Sequence, residues 1–296
     1  TGQGINKIPF SAQGNSRFKQ VFTDKTLPPK TSGSRPSYNV GVWQHHLEQS
    51  KDLLLEPVLT LSKCESTQGT IFWDGTTLTL NPKDTGLSPT SFTVHSDVNV
   101  GVTITKSNKV KIKDVISQFS YSRNYVIHDS NIEIQNSDSF YTVLMDGFSL
   151  DYSNGNLHRC ISNFARNDGF NMHFFGDTHF WHCEGHYNGD DGISHHDGCT
   201  GSINYGHWSF NGKSGIAPTY GSIVHLYGNY AHNNPYNCYC SGEIGNQKRT
   251  VRHFDNVFIN SIRSDYRINK YYQVLSKDNI FKTIEGEEHL IKLESI

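Results

Sequence analysis

Residues 187–197 read YNGDDGISHHD. Asp190, Asp191 and Asp197 bring three carboxyls and His195 and His196 two imidazoles, with glycines as spacers. Carboxylates held close together cannot all ionise at little cost, because like charges raise one another's pKa. Such a group divides into a protonated acid and an ionised base or nucleophile. That division is what cleaves glycosidic bonds. Histidines nearby can orient a carboxylate or hold the sugar. In an isolated loop the same residues would be a polar turn, so the chemistry depends on what positions them.

The positioning element is a repeat. The segments CISNFARNDG (160–169), CEGHYNGDDG (183–192) and GHWSFNGKSG (206–215) align without a gap at a step of 23 residues. Gly169, Gly192 and Gly215 coincide, as do Phe164, Tyr187 and Phe210, and Phe170, Ile193 and Ile216 follow in register. DGF at 146–148 precedes DGF at 168–170 by 22 residues, and SNKVKIKD (107–114) is answered by SNIEIQN (130–136). Runs such as VTIT and IEIQ have the two-residue period of strands, with Gly, Asn and Asp between them. Helical repeats need longer units, and leucine-rich repeats need a Leu framework that is missing here. These observations predict an all-β, right-handed, single-stranded parallel β-helix with coils of about 22–23 residues. Equivalent residues on successive coils then lie about 4.8 Å apart. Inward positions should form apolar stacks. Turn positions should form Asn and Gly stacks, since both tolerate φ > 0.

This stacking turns the acidic loop into a ledge. Asp168 should lie beside Asp191, Asn167 beside Asp190, His173 beside His196, and Asn171 beside Ser194 and Ala217. If Phe170 and Ile193 point inward, residues 171, 173, 194 and 196 point outward on one face. The candidate catalytic residues are therefore Asp168, Asp190, Asp191, His195 and His196. The candidate substrate-binding residues are Asn171, His173, Ser194, Lys213, Trp208 and Tyr220. Trp181 and Tyr227 also offer sugar-stacking rings, whereas the in-register Phe164, Tyr187 and Phe210 read as core. As plain turn residues, Asp146, Asp168 and Asp191 would instead bond nearby backbone N–H groups.

Other chemistry is less well supported. His182-x3-His186 followed by Asp190 has metal-like spacing, but that spacing serves a metal on a helix, and these residues belong on strands and a turn. No metal or cofactor is expected, with calcium among Asp190, Asp191 and Asp197 left open. The six cysteines are too scattered for a disulfide scaffold, and Cys160 and Cys183 share a stack position suited to a buried thiol ladder.

Composition narrows the partners. Only 18% of the 296 residues are charged, with 26 basic against 28 acidic, which argues against nucleic acid or an anionic membrane. No apolar run is long enough to insert into a membrane. The opening TGQGINKIPF reads like a domain cut from a longer chain or one whose leader was removed. Residues 1–60 look irregular, with LPPKTSGSRPS as a linker-like stretch. EPVLTLSK (56–63) and 69–82 look like strands, the latter turning at Asp74-Gly75. The β-helix is expected over 61–247, with further coils or capping strands over 248–296 to cover the open end.

The coil pattern resembles the right-handed parallel β-helix, or pectate-lyase-like, superfamily. Within it, Asn167-Asp168-Gly169-Phe170 followed by Asn188-Gly189-Asp190-Asp191-Gly192-Ile193 is similar to the polygalacturonase pattern of N-T-D on one coil and D-D on the next. The resemblance implies that Asp168 and Asp190 activate water and that Asp191 protonates the leaving oxygen. Where that family carries Gly-His-Gly on the following coil, this sequence has Gly212-Lys213-Ser214-Gly215, so His195 or His196 would have to fill the role. The Gly/Asn/Tyr-rich texture also resembles phage tailspike depolymerases. That resemblance implies a surface or capsular polysaccharide as partner, a homotrimer, and an extracellular or virion-associated place.

Three function classes follow: a polysaccharide hydrolase, a lyase of the same fold, and a non-catalytic glycan-binding fibre or adhesin. A lyase needs a base and a cation beside a uronate carboxylate. The region 157–240 offers only Arg159, Arg166 and Lys213 as fixed cations.

Overall fold

The structure, a computed structural model, describes residues 100–286 apart from 119, 121, 143, 243–248 and 271, together with 55, 58–72 and 79–81. A few further strands, among them 6–9, 40–45, 52–54, 92–96 and 291–293, are described by their pairing alone. The linker-like stretch 27–37 lies outside the described residues.

The chain is all-β, and its main body is a parallel β-helix with three faces. The first face holds nine strands, from Val100–Thr105 through Phe148–Asp151, Phe170–His173, Ile193–His195, Ser214–Pro218 and Tyr236–Cys240 to Ile284–Gly286. The second also holds nine, from Val110–Lys113 to Ile291–Leu293. The third holds eight, including Glu184–His186, His207–Ser209 and Tyr230–His232. Register follows the repeat: Phe148 pairs with Phe170, Phe170 with Ile193, and Ile193 with Ile216. On the second face Asn131 donates to Asn108, one coil earlier.

The stacked coils begin at Val100, later than position 61. Ahead of them, strands at 6–9, 77–81, 70–73 and 56–57 form a separate sheet. The strands flanking Asp74-Gly75 pair antiparallel, while the turn itself lies outside the described residues. In EPVLTLSK only Glu56–Pro57 is strand. The rest leads into a short helix, Leu61–Ser66, because the Thr60 hydroxyl accepts from the Lys63 N–H and caps its start. At the other end the coils continue from Arg249–Phe254 through Ile284–Gly286.

The interior is made of columns. Tyr125 stacks on Phe148 with ring centroids 4.2 Å apart, and Phe148 on Phe170 at 4.9 Å. Cys160 and Cys183 sit buried in one column, and all six cysteines are free thiols. Truncating a ring such as Phe170 to alanine should cost about 3–5 kcal/mol, since the stack above and below cannot collapse into the gap.

Asparagine builds the turns, partly through left-handed backbone, with Asn136, Asn233 and Asn260 at φ 46°, 56° and 55°, and partly through buried side chains. Asn188, Asn211 and Asn234 are fully buried, one per coil. Each side-chain oxygen accepts a backbone N–H from one coil earlier (Ala165 to Asn188 at 2.9 Å, Asn188 to Asn211 at 3.1 Å, Asn211 to Asn234 at 2.9 Å). Each amide nitrogen returns to a carbonyl of an earlier coil, such as Gly185 from Asn211 at 3.0 Å. The residue just before each is left-handed: Tyr187 and Phe210 at φ 57° and Asn233 at 56°, with Phe164 at 60° one coil earlier. The rings of Phe164, Tyr187 and Phe210 form a ladder 5.4 and 5.1 Å apart, buried at Phe164 and half-buried at the other two. Bulky side chains are uncommon at such φ values, and ring-on-ring contact offsets the strain.

Candidate functional site

The turn entering the first face carries two adjacent columns. One runs Asp146, Asp168, Asp191, Ser214, as the Gly147 N–H bonds the Asp168 carbonyl, Gly169 that of Asp191, and Gly192 that of Ser214. The other runs Met145, Asn167, Asp190, Lys213, linked by N–H···O bonds of 3.1, 2.9 and 2.8 Å. Carboxyl oxygens of Asp168, Asp190 and Asp191 all lie within 4.8 Å of one another. The acids expected to stack do so, on one wall.

Cations bracket this acidic series. Arg123 Nε reaches Asp146 at 3.3 Å. Lys213 Nζ lies 3.3 Å from Asp191 and 3.5 Å from Asp190, and 5.5 Å from the Tyr239 ring centroid. Nearby Asp191 pushes the lysine ammonium well above its ordinary range. Lys213 is the in-register successor of Asp190, which explains how one side chain spans both acids. It is a counter-charge to two of the three carboxyls, which together could also hold a metal ion.

Asp168 lies in the middle. It is buried, its Oδ1 accepts the Asp191 backbone N–H at 2.9 Å, and its Oδ2 is 2.8 Å from the Ser194 hydroxyl. Burial, then the charges of Asp191, Asp190 and Asp146, raise its pKa well above the usual carboxylate range. Ser194, fully buried, also lies 3.2 Å from Asn171 Oδ1. Asp168 and Ser194 thus form the support under the wall. Asp191 is 1% exposed, its Oδ1 has no hydrogen-bond partner, and burial raises its pKa to about 6 even though Lys213 pulls it down. Asp190 is the most open of the three, with its side chain 13% exposed.

A cleft of about 470 Å3 opens over these columns. Asn167, Asp168, Asn171, His173, Asp190, Asp191, His196, Lys213 and Tyr220 line it, so most of the residues singled out by the repeat converge there. The histidines form its far side. His173 stacks on His196 at 4.7 Å, and its Nδ1 pairs with Asp197 at 2.9 Å. Asp197 is thus engaged with His173 and is not one of the three clustered acids. His196 Nδ1 is 2.6 Å from the Thr219 hydroxyl. Its burial, with His173 beside it, lowers its pKa to about 4, so the ring is neutral at neutral pH.

Two candidates sit elsewhere. His195 is in register with Met172 and Pro218 and points into the core, where its Nε2 meets the Thr178 hydroxyl at 3.2 Å and its ring packs edge-on to Phe180. The alternation that turns Ile193 inward turns His195 inward too, and burial lowers its pKa to about 3. Trp208 is fully buried, edge-on to Phe170 at 6.0 Å. Glycines make its space: a Cβ at Gly206 would lie 2.6 Å from the indole. Neither side chain reaches the cleft.

Sequence reasoning missed Thr219, Tyr239, Ser241 and Gly242, which complete the lining. Thr219 keeps the 23-residue step from His196 and could have been found by it, whereas Tyr239, Ser241 and Gly242 lie on the next coil, where the step changes to 22. The alternation in YNCYC (236–240), with both cysteines inward, was the available signal.

No protein-family model, curated protein or solved structure matches the chain. Among the described residues no helix is long and apolar enough to cross a membrane.

Proposed function

We propose that this cleft belongs to a polysaccharide-degrading glycoside hydrolase of the pectate-lyase-like, tailspike type. The carrying observation is the trio Asp168, Asp190 and Asp191, whose oxygens lie within 4.8 Å under one groove. In this reading Asp191 holds the proton, since its carboxyl titrates near 6 rather than in the usual range, and delivers it to the leaving glycosidic oxygen. Asp190, the most open acid, activates water. Asp168 is a positioning residue: it receives the Asp191 N–H and braces the wall through Ser194. Lys213 keeps Asp190 and Asp191 from repelling one another outright, a task that a histidine on this coil would perform only when protonated. His173, His196, Asn171 and Tyr220 hold hydroxyls and ring faces of the sugar chain.

The lyase reading is disfavoured by the same lysine. To neutralise a uronate carboxylate, Lys213 would have to leave two carboxyls already within 3.3 and 3.5 Å. The test is a panel of capsular and pectic polysaccharides, read for reducing ends and for ultraviolet absorbance of unsaturated sugars. Reducing ends alone, abolished in Asp191→Asn, support the hydrolase. Both signals together would make it a lyase. Binding without either signal would make it a glycan-binding protein.

A further inference from the structure

The third face carries a second cluster, round the corner from the cleft. Glu184 and His186 lie two residues apart on one strand, so both project from the same side. His207 is in register with Glu184 on the next coil, and His232 with Ser209, one coil further and in the column of His186. Three successive coils thus present a carboxylate and three imidazoles to one patch.

The donor atoms converge. Glu184 Oε2 is 3.3 Å from His186 Nε2. Donors of Glu184, His186 and His207 all lie within 4.8 Å of one another. His207 Nε2 faces His232 Nε2 at 2.9 Å. His186 Nδ1 meets the Ser209 hydroxyl at 2.8 Å, which fixes its ring and leaves its Nε2 facing Glu184. His232 Nδ1 instead accepts from the Asn233 amide N–H at 2.7 Å, so this ring carries its proton on Nε2 and donates it to His207. The His186 side chain is 13% exposed and that of Glu184 45%, so the patch is both built and reachable from solvent.

We propose that Glu184, His186 and His207, whose donors lie within 4.8 Å of one another, form a binding site for Zn2+ or a similar divalent transition metal, which clasps two successive coils and leaves a fourth position for water. Zinc takes imidazole and carboxylate ligands at about 2.0–2.2 Å in tetrahedral geometry, which places neighbouring donors about 3.3 Å apart. The Glu184–His186 contact of 3.3 Å already has that spacing, and the His207 donor lies within 4.8 Å of both. Calcium and magnesium prefer all-oxygen cages and do not suit a site with two imidazoles. Without a metal, His232 donates to His207 Nε2, a contact that an ion bound at that nitrogen replaces. The site is independent of the proposed hydrolysis.

The experiment uses the full chain, stripped with a chelator and titrated with ZnCl2 by calorimetry and with Co2+ by visible absorption. One ion per chain at micromolar affinity or tighter is expected, with the visible bands of four-coordinate Co2+ and a melting temperature raised by zinc. His186→Ala or His207→Ala should weaken binding more than about tenfold, while Asp190→Asn should bind as the parent does. Should an alanine variant fail to fold, His207→Gln keeps the volume and serves in its place. The proposal is overturned by no saturable zinc binding, by unchanged affinity in His186→Ala and His207→Ala, or by loss of binding in Asp190→Asn, which would put the ion in the acidic cleft.

Discussion

The same structural column changes character along the molecule. In the middle coils it holds Asp146, Asp168 and Asp191, and in the later ones Ser214, Tyr236 and Ser264. Backbone pairing continues through both stretches, so the coil does not need acids at this place. The later residues carry no charge to bury: the Ser214 hydroxyl is left without a partner, as Asp191 Oδ1 is, but Tyr236 packs beneath Arg263 and Arg267 with hydrogen bonds of 3.0 and 2.9 Å. The acids, by contrast, are buried, mutually repelling, and left with an unpartnered Asp191 oxygen. Conflict of this kind, tolerated where neutral residues would serve, is what functional sites impose on a stable scaffold.

The comparison can be broken most sharply at Asp191. Replacing it with Asn, close to its neighbours' polarity in the later coils, should lower the rate of polysaccharide cleavage by about 10²–10⁴-fold, the usual contribution of a general acid. Circular dichroism should show the fold intact. Stability should respond in the opposite direction to activity. The Asp191 carboxyl titrates at about 6 against an ordinary value of 3.8, so the native chain binds this proton more tightly than the unfolded one. Its contribution is fully present below pH 3.8 and is lost as pH rises through 6, a decline of roughly 3 kcal/mol. Urea denaturation at several pH values should show that fall in the parent chain and a flatter profile in Asp191→Asn.

The Asn ladder provides the contrasting case, a buried polar column in which every contact is complementary. Asn211→Ala strands the Asn188 N–H and the Gly185 carbonyl. It should cost about 3 kcal/mol in denaturant unfolding while leaving the turnover of the folded fraction unchanged. At the edge of the cleft the effect should be smaller. His196→Ala removes a neutral ring that contacts Thr219 and stacks on His173. It should raise KM by about tenfold, some 1.4 kcal/mol, with kcat little altered.

Much of this was legible in the sequence, because a solenoid converts spacing into proximity. A step of 23 residues placed Asp168 on Asp191 and His173 on His196, and the structure has both contacts. Two expectations overlooked the same rule of alternation. His195 shares the parity of Ile193 and had to point inward, and Trp208 sits inward in the column of Gly185 and Ala231, with glycines clearing its indole. The left-handed aromatic ladder was not legible, since Phe164, Tyr187 and Phe210 carry no local signal for positive φ. Their rings reward each other only once the coils are stacked. The bracketing of the acids by Arg123 and Lys213 was hidden for a similar reason, as it spans five coils.

The most direct test is a 13C NMR titration of the aspartate carboxyls in the full chain, with Asp191 assigned through the Asp191→Asn variant. A carboxyl that loses its proton near pH 6, and shifts downward when Asp190 is replaced by Asn, is what a crowded buried acid requires. A carboxyl titrating near 4, indifferent to Asp190, would mean that Asp191 carries no proton to give and that the column is only a turn.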